Sequence, residues 1–440
     1  MNTCLLSIVI ATSYCLNAPS SAQESDPASP NLVAMSDQED AVARYQQHLV
    51  FLAHPSLEGR LPGEPGCEIA EEMIETTFRQ LGLRSPESLP DFRQSFQFSQ
   101  GGRFGDRSKA KIVTGQNVCA VLPGAGPLSE QWIILGAHHD HIGRGSFGSR
   151  TMAGEIHEGA DDNASGTSAV LLAAGLLAEL FIDEETPRRS ILFMTFSGEE
   201  SGLNGSRHYV ENPVVPLSST VAMINLDMIG RLVDGEVQLT GIGSGTTFDE
   251  MIEGIDVDST LKIQRGDTLS SRSDHASFYD KGVPVLFLTE TVFPDEYHTP
   301  DDESSRIDFE SGANAAILAA EIVRRLAVAT RAPEFMEIEG ADNSNDGPSF
   351  TDIKIRFGIK PGNYGDLEPG IVVSGVSEGT SAEDGGVLPG DIMIRWNDGV
   401  IDDVRAWMGM MAEHEPGDIV HVTVIRGQTE LILPIMLKPK

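Results

Sequence analysis

The chain has 440 residues, 40% apolar and 22% charged, and its 31 basic against 66 acidic residues give a formal charge of -35. That length exceeds what one hydrophobic core usually supports, so two folded units are expected. So acidic a surface repels phosphate backbones and anionic lipid headgroups, which argues against nucleic acid and membrane surfaces as partners.

Residues 4–16 form an apolar stretch too short to span a bilayer, followed by small residues through Ser20-Ser21-Ala22. This reads as a secretory signal over 1–22, with the mature chain exported to the periplasm or medium, although no Lys or Arg occurs before Arg44. Residues 23–36, rich in Ser, Pro, Asp and Ala, read as a flexible leader. No later apolar run reaches the length of a membrane span, so none is expected. Of the four cysteines, Cys67 and Cys119 lie outside the signal. They make either one disulfide in an oxidising compartment or two free thiols.

From 37 to about 330 helical and strand patterns alternate. Ala70, Ile74, Phe78 and Leu81 recur at helical spacing, with Gly82 where a C-cap belongs. Short apolar runs at 131–137, 190–197, 220–226 and 283–289 predict buried strands. Segment 168–180, apolar on most sides, predicts a buried helix, and 313–329 a long Ala-rich one. Such alternation implies an α/β layer structure with a mostly parallel sheet, whose ligands bind beyond the carboxyl ends of its strands. A polar linker follows at 331–349. Residues 350–440 then show short strand-like runs and one helical stretch near 404–412, a second and mainly β domain.

Each buried strand runs into metal-binding residue types. The first reaches His138-His139-Asp140-His141, the second Glu199-Glu200, the third Asp227, and the fourth leads to Tyr297-His298. A further cluster, Asp161-Asp162-Asn163, precedes the buried helix. Carboxylates and imidazoles gathered at one sheet edge repel one another unless cations neutralise them, and zinc suits mixed His and carboxylate ligands. Asp140 lies two residues past His138; in an extended segment both face one side, so its carboxylate would accept the free imidazole N–H. The same parity turns His139 and His141 away from His138. Ser273-Asp274-His275 reads as structural hydrogen bonding rather than a nucleophile triad, since no Gly-x-Ser-x-Gly elbow accompanies it.

Taken in this order, the motifs resemble the co-catalytic zinc exopeptidases that include secreted bacterial aminopeptidases, glutamate carboxypeptidase and glutaminyl cyclase. The resemblance extends from about 49 to 326 and includes segment 57–63, Leu-Glu-Gly-Arg-Leu-Pro-Gly. It implies a three-layer α/β/α fold with a mostly parallel mixed sheet, and two Zn2+ per chain. His138 and Asp227 would hold one ion, Glu200 and His298 the other, with Asp162 bridging both. Glu199 would be the general base activating a bridging water, and Tyr297 would contact the tetrahedral intermediate. The resemblance also implies a cis peptide bond after Asp162.

The C-terminal segment resembles a PDZ domain, with Phe357-Gly358-Ile359 at the place of the carboxylate-binding loop and Arg356 where many relatives carry Gly. It implies capture of a peptide or a protein C-terminus by strand addition. The leading function is a zinc aminopeptidase acting on peptides. A carboxypeptidase or dipeptidase on the same metal centre, or a non-catalytic peptide-binding module, are the alternatives.

Overall fold

A computed structural model describes residues 38–439 apart from 101–110, 146–148, 152–153, 183–185, 256–260, 267–268, 339–352, 362–369, 378, 398, 402–403 and 428. The expected signal and leader over 1–36 lie outside the described residues, as does 339–349 of the expected linker.

In the first domain, helices α1 (Gln38–Leu52) and α2 (Pro65–Gln80) precede strands β1 (Arg93–Gln100), β2 (Lys111–Leu122) and β3 (Trp132–His138). Then come α3 (Gly166–Leu180), β4 (Ser190–Phe196), α4 (Asn204–Glu211), β5 (Thr220–Leu226), β6 (Glu236–Thr240), α5 (Phe248–Ile252) and β7 (Lys262–Arg265). Helix α6 (His275–Tyr279), β8 (Val285–Glu290) and α7 (Phe309–Val328) complete it. The strands form one mixed sheet in the order β1-β2-β4-β3-β5-β8-β6-β7. Its centre, β4-β3-β5-β8, is parallel throughout, while β1 and β2 pair antiparallel with their neighbours, and β6 runs antiparallel to β8 and parallel to β7.

Alternation along the central strands explains the layering. Ile133 and Leu135 of β3, with Ile191 and Phe193 of β4, pack into one core with α1, α2, α3 and α7. Ile134, Leu192, Met194 and Phe196 point the other way, into a second core with Tyr209 of α4 and Phe278 of α6. Both sheet faces are therefore covered, which is why these strands are apolar without interruption. Helix α3 is apolar on nearly all sides because α1 and α7 pack against it as well as the sheet. The helical stretch Ala160–Leu180 is long and apolar enough to cross a membrane, and 83% of its apolar window is buried inside the protein.

Residues 331–338 pair back onto the first domain: Phe335 bridges Gly245, and the N–H of Ile338 donates to the Tyr279 hydroxyl at 2.7 Å. The second domain holds β9 (Ile359–Pro361), β10 (Ile371–Val376), α8 (Ser381–Asp384), β11 (Ile392–Trp396), β12 (Gly399–Val400), α9 (Val404–Ala412), β13 (Ile419–Arg426) and β14 (Thr429–Met436). Its sheet runs β14-β13-β11-β10-β9, with β12 on β11. Phe357, Trp396 and Trp407 meet edge to face at its core.

Candidate metal centre

Parallel strands β3, β4, β5 and β8 deliver their carboxyl ends to one edge, and the sequence-predicted residues meet there. Asp162 lies at the turn into α3, and its peptide bond to Asn163 is cis, as expected. Its two carboxylate oxygens face different partners. Oδ1 lies 3.3 Å from His138 Nε2, whose other neighbour is Asp227 Oδ1, also at 3.3 Å. Oδ2 lies 3.0 Å from His298 Nε2, which is 2.9 Å from Glu200 Oε2. The donors thus divide into two groups that share Asp162: His138, Asp162 and Asp227 in one, His141, Asp162, Glu200 and His298 in the other.

The donor set fits zinc. Tetrahedral coordination with ligands at roughly 2.0–2.2 Å separates donor atoms by roughly 3.3–3.6 Å, close to the spacings here. Asp227 Oδ1 is buried with no hydrogen-bond partner among the described residues. The electrostatics also call for positive charge. Burial would lower His138, but Asp227 and Glu199 hold it well above the usual imidazole range. Burial likewise opposes protonation of His298, which Glu200 and Asp162 raise well above that range. Burial and Asp162 push Glu200 up, yet His298 and His141 bring it to about 2. Glu199 differs from its neighbour: burial chiefly drives it well above the usual carboxylate range, and it belongs to neither donor group.

Two orientations correct the sequence expectation. The Asp140 carboxylate is 3.8 Å from His138 Nδ1, whereas the Asp140 backbone carbonyl is 3.1 Å from it. The carboxylate instead accepts the Glu199 N–H at 3.1 Å, fixing the backbone of the candidate base. His141, expected to turn away, places Nδ1 2.6 Å from Glu200 Oε1 and 3.9 Å from Asp162 Oδ2. The physical reason is that β3 ends at His138, so strand alternation no longer governs the residues beyond it. His139 does point elsewhere, with Nδ1 3.0 Å from Thr195 Oγ1. Tyr297 stacks on His298 with ring centroids 3.9 Å apart, and Arg150 covers its other neighbourhood at 5.0 Å from the ring centroid.

Further residues support the donors. The Asp302 carboxylate accepts the N–H groups of Asp161 and Asp162, at 3.0 and 3.1 Å, and pairs with Arg231 at 2.8 Å. Ser273 donates to Asp227 Oδ2 at 2.7 Å and accepts from Asn225, which gives the expected structural hydrogen bonding a definite object. The wholly buried Arg60 guanidinium donates to the carbonyls of Leu52, His139, Glu158 and Gly159. It thereby ties the β3 exit to the segment that leads into Asp162. Only the Gly-Arg motif of segment 57–63 hinted at it. Cys67 and Cys119 are both free and buried.

In the second domain the Phe357 ring is buried among the tryptophans. Gly358 has φ 94°, and a Cβ there would collide with Thr380. Ile359 opens β9, which ends the sheet.

Comparison with known proteins agrees with this picture. A "Probable leucine aminopeptidase" of Trichophyton verrucosum is 33% identical over 201 residues, 44% of this chain and 51% of that protein. One of Arthroderma benhamiae is 32% identical over 201 residues, with the same shares. The match thus spans about half the length of these curated relatives. Two solved structures share the fold: a Zn-dependent exopeptidase of Parabacteroides distasonis, at TM-score 0.50 and 17% identity over 67% of this chain and 99% of that one, and a glutaminyl cyclase of Bacteroides thetaiotaomicron, at TM-score 0.50 and 18% identity over 65% and 97%. Residues 117–323 match the model of peptidase family M28, and residues 352–437 match that of the PDZ domain. The chain thus holds a region that matches peptidase family M28, followed by one that matches a PDZ domain.

Proposed function

We propose that this chain is an exported aminopeptidase that binds two Zn2+ and removes N-terminal residues from peptides. The observation that carries the reading is the division of the Asp162 carboxylate, one oxygen toward His138 and the other toward His298. A carboxylate divided in this way would serve as the shared anion of two divalent ions. His138 and Asp227 would hold one ion and Glu200 and His298 the other. When bound, the ions supply Lewis-acid activation of water and of the scissile carbonyl.

The chain's own residues do the rest. Glu199, set apart from both donor groups, takes the proton of the attacking water and passes it to the leaving amine. Asp140 holds the Glu199 backbone in place. Tyr297, lying on His298, would donate its hydroxyl to the developing oxyanion. The second domain would hold an extended peptide along β9, with the backbone at Phe357, Gly358 and Ile359 receiving its terminus.

The test compares free aminoacyl with N-acylated aminoacyl chromogenic substrates, alongside zinc analysis of the purified mature chain. Free substrates should be cleaved, with two zinc ions at the shared-aspartate centre and loss of activity on chelation. Preference for the acylated substrates would overturn the aminopeptidase reading in favour of carboxypeptidase or dipeptidase action.

A further inference from the structure

Behind the β3 exit lies a second set of donors that the proposed mechanism does not use. Cys67 and Glu71 stand four residues apart on α2, so both project from one helix face. Their Sγ and carboxylate, with the His139 imidazole, bring ligand atoms within 4.8 Å of one another. Exposure is 0% for Cys67, 2% for Glu71 and 0% for His139. This group has no residue in common with the donors around Asp162.

We propose that Cys67, Glu71 and His139 form a separate site for one zinc-class divalent cation. His139 Nε2 is buried without a hydrogen-bond partner and points at Glu71 Oε1 across 3.7 Å, too far for an N–H···O bond. The same oxygen lies 3.7 Å from Cys67 Sγ. Tetrahedral zinc, with its sulfur ligand at roughly 2.3 Å and its nitrogen or oxygen ligands at roughly 2.0–2.2 Å, separates such donors by roughly 3.3–3.6 Å. Both separations from Glu71 Oε1 lie close to these values, and Cys67 Sγ and the imidazole lie within 4.8 Å of each other.

The surroundings orient each donor as ligand-supporting residues do. Thr195 Oγ1 meets His139 Nδ1 at 3.0 Å, leaving Nε2 for the cation, and Arg60 holds the His139 carbonyl at 2.7 Å. The second oxygen of Glu71 accepts from Gln116 at 2.8 Å and from Arg93 at 3.4 Å, which leaves Oε1 for the cluster. Thiolate and carboxylate charges together balance one divalent ion. Coordination replaces the thiol proton of Cys67, which leaves to solvent as the S–metal bond forms. The mixed sulfur, nitrogen and oxygen set suits zinc or cobalt and not magnesium or calcium. Such an ion would clamp α2 to the 139–141 segment that carries Asp140 and His141.

Cobalt substitution tests this directly, because the centre around Asp162 offers only nitrogen and oxygen. The full chain reconstituted with Co2+ should show a near-ultraviolet thiolate-to-cobalt charge-transfer band. That band should persist in Cys119→Ser and vanish in Cys67→Ser. Zinc analysis should find one equivalent more in the wild type than in Cys67→Ser, and His139→Gln should lose the same equivalent. A wild-type cobalt spectrum with no such band overturns the site without recourse to any variant. Equal zinc content in wild type and Cys67→Ser overturns it as well.

Discussion

His141 Nδ1 lies 2.6 Å from Glu200 Oε1, inside the donor group that also holds Asp162 and His298. The imidazole is wholly buried. Whether as a ligand or as the group that orients Glu200, it acts on the second of the two proposed ions. His141→Leu should weaken that ion by about 10–100-fold while leaving the His138 and Asp227 side loaded. Competition with a chromogenic chelator reads each ion separately. Unchanged affinity at both would reduce His141 to packing.

Arg60 illustrates how a residue outside the donor set can govern it. Its planar fork satisfies the buried carbonyls of Leu52, His139 and Gly159 and the part-buried one of Glu158. A lysine ammonium cannot reproduce that geometry. Arg60→Lys should therefore cost about 1.5–3 kcal/mol of stability in chemical denaturation for each hydrogen bond the ammonium cannot remake. A loss within about 0.5 kcal/mol would mean that water can replace the guanidinium.

The second domain carries its own acid sensitivity. Burial would raise Asp391, but paired hydrogen bonds from Arg426, both at 2.7 Å, and one from the Leu388 N–H hold it below its usual range. A depressed carboxylate contributes stability above its unfolded pKa of roughly 3.9 and loses that contribution as pH falls through the folded value. Thermal unfolding followed at Trp396 and Trp407 should show destabilisation below about pH 4. Asp391→Asn should lower the melting temperature at pH 7 and flatten this acid limb. An unaltered acid limb would assign it to other carboxylates.

What could be read in the sequence follows from the range over which each signal acts. The buried strands β3, β4, β5 and β8 were legible because both their faces are covered, so apolar residues run without interruption. Strands Ile371–Val376 and Ile392–Trp396 of the second domain showed the same signal. Strand β1, whose buried alternate residues are Gln94, Phe96, Phe98 and Gln100, carries no such run and was not anticipated. At the site, motif order placed His138, Asp162, Glu200, Asp227 and His298 together. The orientations of Asp140 and His141 were misjudged because alternation was carried past the end of a strand. Asp302 and Arg60 act through backbone groups brought close only by folding, which no local spacing records, and the hydrogen bonding read for Ser273 had no object until folding set it on Asp227.

The adjacent pair Glu199 and Glu200 offers the sharpest test of the proposed chemistry. Glu200 sits among His141, Asp162 and His298, while Glu199 stands outside both donor groups. Glu199→Gln keeps shape and hydrogen bonding but cannot accept a proton, so metal content should hold while turnover falls by roughly 10² to 10⁴-fold. Peptide binding should persist. Glu200→Gln exchanges an anionic oxygen for a neutral amide, so its first effect should be a weaker ion on the His298 side, with activity partly restored by excess zinc. Metal analysis of the two variants, with kinetics at several zinc concentrations, separates the roles. If Glu199→Gln were to release an ion and Glu200→Gln to keep both, base and ligand would have to exchange places.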